Sequence, residues 1–305
     1  MKASIALPNS AKTTTPLGVG MATLMREPSG SGQQRLLHAA YEAGFRHFDT
    51  APSYGVGAAE TVLGRFLRAH RDDVSVGTKV GILARGNASL MRVIQRPARA
   101  VLRRFPALRG RATQTVGGMV HARPDFSPAT RTRSLEGSLR ALRVDALDLL
   151  LLHEPEPADV GTEITDWLGD LKRRGLVRAV GVATTAAFAA EILRAHPGTF
   201  DAVQAPGNVL EPIPALSDGA ASVLRVVHSV LANPLGHANR RMAADPAWIA
   251  ELSRRAGTDI AAPGALAKLL LAWAVAENPR GIVLLGSSSA DHLRAAVAAV
   301  DAFAE

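Results

Sequence analysis

The sequence predicts a parallel α/β fold, a single (β/α)8 TIM barrel carrying a long basic insertion after its third strand. Three observations carry this expectation. Eight short runs rich in Val, Leu and Ile alternate with longer amphipathic segments along the chain. No break in composition divides the 305 residues, a length that single α/β barrels commonly occupy. One stretch departs from the rhythm: no acidic residue stands between Asp73 and Asp125.

Taken in chain order, strands are expected at Leu17–Val19, Phe45–Phe48, Val74–Lys79, Leu147–Leu152, Val177–Val182, Ala202–Gln204, Leu224–Leu231 and Gly281–Leu285. Helices are expected near 31–43, 57–69, 131–142, 161–174, 186–195, 213–222, 244–256, 264–276 and 290–302. Gly44 stops the first helix, and Gly175 stops the one ending in Lys172, Arg173 and Arg174, whose positive charges suit the negative end of the helix dipole. The insertion, residues 81–124 of a domain spanning 1–305, holds nine Arg from Arg85 to Arg123. Its apolar residues, among them Leu90, Val93, Ile94, Val101 and Leu102, recur at helical spacing, and Pro97 and Pro106 divide it. One or two basic amphipathic helices are expected there, forming a lid.

Composition narrows the classes of function. With 47% hydrophobic residues a disordered chain is excluded. The net charge of +8 raises polyanionic partners, but removing the nine insertion Arg leaves 26 basic against 27 acidic residues. The charge therefore describes a near-neutral barrel with one basic excursion. Only Phe105 offers an aromatic ring for base stacking there, so no nucleic acid is expected as a partner. The absence of Cys excludes a thiol nucleophile and any thiolate metal site. Residues 261–276, the longest apolar stretch, are interrupted by Pro263, Gly264 and Lys268 and fall short of the roughly 20 residues a spanning helix needs. Together with the weak apolar patch of MKASIALPNSAK, this gives the expectation of a cytoplasmic protein without stable membrane insertion.

The usual nucleotide and metal signatures are missing. After the first strand, Gly18-Val19-Gly20-Met21-Ala22-Thr23 lacks the third Gly of a dinucleotide fingerprint, and neither a phosphate-binding P-loop nor HExxH occurs. No metal site is expected, since the His spacing does not suit one. What stands out instead is the placement of titratable residues at predicted strand ends. Asp49 follows the second strand, Lys79 closes the third and His153 closes the fourth, while Tyr54 lies just beyond Asp49. Singly, each reads as a capping or packing residue. In a parallel barrel, however, these strand ends share one face, where active sites are built. A phenol ordinarily titrates near pH 10. A neighbouring Lys79 ammonium favours the phenolate, Asp49 holds the ammonium, and His153 orients a carbonyl. Acid–base work on a carbonyl or alcohol is the chemistry this set predicts.

The segment FRHFDTAPSYGVGAAETVLGRFL, from Phe45 to Leu67, resembles the signature of the aldo-keto reductase superfamily. TKVG around Lys79, RSLEGSLRALRVDALDLLLLHEPEP, GLVRAVGVAT, VQAPGNVLEP and IVLLGSSSADHLRAAVAAV extend the resemblance over nearly the whole chain outside the insertion. The chain is most similar to a bacterial branch that includes aldose and pyridoxal dehydrogenases. The resemblance implies a (β/α)8 barrel and a tetrad of Asp49, Tyr54, Lys79 and His153, with Tyr54 as general acid or base while nicotinamide C4 gives or takes hydride. It implies NADP or NAD as cofactor, with NADPH slightly favoured. A small carbonyl or sugar is the implied substrate, converted to or from its alcohol or lactone. Gln204 and Thr184 match positions around the nicotinamide carboxamide, Asn233 and Leu235 the wall beyond it, and Gly286, Ser287, Ser288, Ser289 and His292 the adenosine phosphate end.

Departures from the family pattern fall on the cofactor side. Ala183-Thr184 replaces Ser-Asn, Ala232 stands where many members place an aromatic ring, and His292 and Ala296 replace an Arg and an Asn. They weaken the selectivity for NADP that the resemblance implies and leave NAD open as the cofactor. They also motivate an alternative, a catalytically weak nucleotide-sensing or scaffold protein on the same barrel. Because the insertion leaves the barrel just after Lys79, it is expected to shape a substrate site suited to anionic or bulky polar molecules.

Overall fold

A computed structural model of the chain describes residues 4–84, 123–211 and 222–303. Two short strands, β1 (Ile5–Ala6) and β2 (Thr13–Thr14), pair antiparallel ahead of the barrel. Eight parallel strands follow: β3 (Leu17–Gly20), β4 (His47–Asp49), β5 (Ser75–Val80), β6 (Leu147–His153), β7 (Val177–Ala183), β8 (Ala202–Pro206), β9 (Leu224–His228) and β10 (Ile282–Leu285). They close in chain order, β10 pairing with both β9 and β3. The predicted barrel is the observed one.

Helices surround it: α1 (Met21–Leu24), α2 (Gly30–Glu42), α3 (Ala59–His70), α4 (Pro128–Leu142), α5 (Thr162–Arg173), α6 (Ala186–Ala195), α7 (Ala232–Ala244), α8 (Pro246–Ala256), α9 (Ala265–Ala276) and α10 (Ala290–Phe303). Their starts follow local chemistry. Ser29 accepts from the Gly32 amide, Thr185 from that of Phe188 and Asp245 from that of Trp248. The stops at Gly44 and Gly175 adopt φ of 103° and 72°, a region that costs glycine nothing. The predicted helix 213–222 lies almost wholly outside the described residues, as does the insertion between Arg85 and residue 122.

Alternation along the strands separates two cores. Val19, Phe48, Val76, Leu150, Val180, Val203, Val227 and Val283 point outward into the layer shared with the helices. Leu149, Leu151, Ala179, Ala202, Leu224, Val226, Ile282 and Leu284 point inward and fill the barrel. Ile5 and Leu7 belong to the interior cluster, so the N-terminal hairpin plugs the end of the barrel where the strands begin. The hairpin was not among the predicted elements. Two-residue strands are too short to show a period.

Small residues make room for large ones. A Cβ on Gly18 would press on Leu284 and His47, and one on Gly181 would run into the Ala202 carbonyl. Between helices, a Cβ on Gly64 of α3 would strike the Ala141 carbonyl of α4, backbone that cannot swing aside. Gly137, also on α4, faces open space. Gly64→Ala is expected to lower stability by about 1–3 kcal/mol, and Gly137→Ala to raise it by roughly 0.5–1 kcal/mol. Urea denaturation midpoints of the two variants, moving in opposite directions from wild type, check this pair.

Candidate active site

The inward parity that fills the barrel also sets the site. Asp49 is two residues beyond the interior His47, Lys79 two beyond Gly77, His153 two beyond Leu151 and Gln204 two beyond Ala202. Each therefore points inward, one layer above the apolar fill, at the end where the strands finish. They line a single cavity of about 930 Å³ together with Tyr54, Thr184, His228, Ser229 and Gly286.

Lys79 is the fixed point. Its Nζ donates to both oxygens of Asp49, at 2.8 and 2.7 Å, and to the Thr50 carbonyl at 2.9 Å. Lys79 and Asp49 are each only 2% exposed. Burial alone would pull the ammonium down, but Asp49 and Tyr54 outweigh it and hold Lys79 above its ordinary value. The same Nζ lies 4.9 Å from the centre of the Tyr54 ring. Tyr54 and His153 meet edge to face at 5.9 Å.

Tyr54 reaches this position through an unusual turn. Gly55 and Val56 both take left-handed conformations, with φ of 57° and 56°. For Val56 this is strained, on the order of 1–3 kcal/mol. Among the described residues five non-glycine positions have positive φ, and three of them (Val56, Glu154 and Ser229) adjoin the cavity's side chains. Glu154 directly follows the buried His153 and Ser229 the half-buried His228, both cavity histidines. The kink ends the strand and keeps the imidazole inside.

Electrostatics correct one expectation. Lys79 was expected to bring the Tyr54 phenol below 10; instead burial pushes it above its ordinary value, and Lys79 only partly offsets this. The histidines are held neutral. Burial, with Lys79 and His228 adding to it, lowers His153 to about 3, and burial with Lys79 lowers His228 to about 4. His47, in the barrel interior with Nδ1 2.9 Å from Ser75 Oγ, falls to about 4 for the same first reason.

The cofactor-side residues divide. Gln204 is 2% exposed and its Oε1 has no hydrogen-bond partner among the described residues. A buried acceptor left open in a cavity wall suits an amide N–H of a bound molecule. Thr184 is also in the wall, its hydroxyl donating to the Pro155 carbonyl at 3.0 Å. Gly286 lines the cavity, whereas Ser287 and Ser289 bond to one another and Ser288 and His292 lie away from it. Asn233 and Leu235 are not in the wall, which on this side is His228–Leu231. The predicted strand 224–231 ends early, at His228, because Ser229 turns left-handed at φ 62°. Residues expected a turn later therefore fall in α7. His228 and Ser229 were not singled out from sequence; a His closing a Val-rich run, as at 153, was the available signal.

Both stems of the insertion reach the cavity mouth. The Asp125 amide donates to the Gly81 carbonyl at 2.8 Å, one residue beyond β5, and Arg123 and Pro124 line the wall. Among the described residues no helix is long and apolar enough to cross a membrane.

A closed parallel barrel thus gathers a Lys–Asp pair, a phenol and neutral imidazoles in one cavity at the strand ends. The chain belongs to the aldo/keto reductase family, whose profile matches residues 16–304. Over 175 residues, 55% of this chain and 49% of the relative, it is 33% identical to D-threo-aldose 1-dehydrogenase of a Pseudomonas species. Over 81 residues, 26% of this chain and 24% of the relative, it is 41% identical to pyridoxal 4-dehydrogenase of Microbacterium luteolum. These matches span half or less of the relatives' length. Among solved structures, the glycerol dehydrogenase of Gluconobacter oxydans superposes with a TM-score of 0.70 at 20% identity, over 98% of this chain and 94% of that one, a likeness of fold.

The histidine shifts carry a sign for stability. Their native values lie below the unfolded 6.5, so between the two the unfolded chain binds more protons. Stability is expected to be full above pH 6.5 and to fall as the pH drops towards 4, by about 1.4 kcal/mol per pH unit for each imidazole. Urea unfolding at pH 7, 6 and 5 measures the slope, and His47→Gln should flatten it.

Proposed function

We propose that this protein is a nicotinamide-dependent oxidoreductase that interconverts a carbonyl and its alcohol, or a sugar lactol and its lactone, with Tyr54 as the proton donor and acceptor. The observation that carries the reading is the buried Lys79–Asp49 pair beneath the Tyr54 ring in one cavity with a neutral His153. The names of the relatives, an aldose dehydrogenase and a pyridoxal dehydrogenase among them, support the same class. Such a chemistry fits a cytoplasmic enzyme acting on small molecules.

Each residue does one task. Tyr54, held protonated at neutral pH by its burial, donates its proton to the carbonyl oxygen in reduction. Lys79 stabilises the phenolate left behind, and Asp49 with the Thr50 carbonyl keeps the ammonium in place. The Asp49–Lys79 pair is neutral overall, so it adds no net charge to the cavity. His153, uncharged, offers an N–H to the substrate oxygen without placing a second cation beside Lys79. A nicotinamide cofactor bound here would supply the two-electron hydride step that no side chain provides. Gln204 and Thr184 would hold its carboxamide, with Gly286, Ser287, Ser288, Ser289 and His292 towards its phosphates. The α10 N-terminus, which follows this loop, favours an anion.

Tyr54→Phe is expected to lower kcat for carbonyl reduction by about 10²- to 10⁴-fold, while quenching of Trp fluorescence by NADPH or NADH persists. Retention of full activity in that variant would sink the assigned role. Reduction should also hold constant through neutral pH and decline only as the phenol ionises above pH 10, with oxidation rising over the same range. His292 is exposed where a 2′-phosphate would need a cation. Wild type is therefore expected to discriminate poorly between NADPH and NADH. His292→Arg should shift the ratio of their Kd values towards NADPH by about tenfold, as measured by fluorescence titration.

A further inference from the structure

Three charged side chains that the catalytic assignment leaves unused line the cavity, Arg123, Glu154 and Glu156. Glu154 directly follows His153, lines the same cavity and is exposed to it. Its backbone takes φ 55°, a conformation unfavourable for Glu, and is locked there by its amide donating to the Ala183 carbonyl of β7 at 2.7 Å. A glycine would serve this turn without strain. Strain retained at a cavity wall points to a use for the side chain.

Its carboxylate makes no hydrogen bond or ion pair among the described residues. The neighbouring Glu156 differs, since its carboxylate is engaged by the Asp159 amide in a capping box. Burial dominates the Tyr54 phenol, and beyond its neighbours Lys79 and Asp49 the further charge acting on it is that of Glu154. The carboxylate thus lies within electrostatic reach of the reacting end. Arg123 shares the cavity but belongs to the insertion stem. Elsewhere the same cavity wall carries the hydroxyls of Thr23 and Ser229, groups that both donate and accept.

We propose that Glu154 is the specificity-determining residue of this cavity, accepting hydrogen bonds from hydroxyl groups beside the reacting carbonyl and repelling carboxylates. The substrate class is then a neutral polyhydroxylated carbonyl, such as an aldose, rather than an aldehydo or keto acid. This revises the anionic preference expected from the Arg-rich insertion, and it rests on the oxidoreductase reading above. An acceptor-only group rewards hydroxyl donors and penalises like charge, so it discriminates by attraction and by repulsion together.

The test compares kcat/KM of the full-length enzyme for D-glyceraldehyde, propanal, succinic semialdehyde and aminoacetaldehyde, with NADPH and NADH. Wild type is expected to prefer glyceraldehyde to propanal, and succinic semialdehyde least. In Glu154→Gln the preference for glyceraldehyde over succinic semialdehyde should fall about tenfold, and Glu154→Lys should reverse it. Glu154→Gly relieves the backbone strain; it should melt no lower than wild type and yet lose the preference for glyceraldehyde over propanal. Ratios that stay constant across all three variants overturn the proposal, as does a wild-type preference for aminoacetaldehyde over glyceraldehyde. Absence of wild-type turnover of every aldehyde with either cofactor overturns the oxidoreductase reading itself, and the inference with it.

Discussion

Lys79 carries a full positive charge at the top of a barrel whose interior is filled mainly by Leu, Val, Ile and Ala, with His47 and Ser75 among them. Such a charge persists in a dry site only with a partner at close range, and removing either member of a buried pair typically costs about 3–5 kcal/mol. Asp49 and the Thr50 carbonyl meet that need from the adjacent strand β4. The groups around this pair respond first to burial and then to its charges. The imidazoles of His153 and His228 are held neutral first by their withdrawal from water and then by the Lys79 ammonium. The phenol above it sits between a burial that holds its proton and a cation that would stabilise its loss.

That arrangement depends on the barrel below. An inward-facing histidine, His47, fits beneath Asp49 because Gly18 and Gly77 flank it on the neighbouring strands. The N-terminal hairpin closes the far end with Ile5 and Leu7. The cavity consequently opens at one face, towards the loops that carry Tyr54, Glu154, Ser229 and the two stems of the insertion. Positive-φ kinks at Val56, Glu154 and Ser229 gather at this mouth, while the packed strands beneath show none. Strain is concentrated where side chains must be aimed and absent where they need only be packed.

Much of this was legible in advance. Alternating strand and helix patterns located all eight barrel strands to within a few residues, since a buried parallel strand is a short apolar run whatever it packs against. The titratable residues that end those runs, Asp49, Lys79 and His153, were visible for the same reason. Less legible were boundaries set by a single backbone angle. Ser229 ends β9 three residues before the apolar pattern does, and on this side the cavity wall is His228–Leu231 rather than the expected Asn233 and Leu235. Hydropathy alone does not report φ.

Sequence by itself determined the barrel, the strand ends that share a face, and the family, because each is written in local periodicity or in contiguous motifs. Tertiary structure decided what those residues experience. Tyr54 is pushed up rather than down because burial outweighs the pull of Lys79, a balance of depth against distance that no linear pattern contains. It likewise brought His228 from β9 into one cavity with His153 from β6 and left the Gln204 oxygen open in the wall. Those relations run across the closed barrel, between residues distant in the chain, and arise only once the last strand pairs with the first.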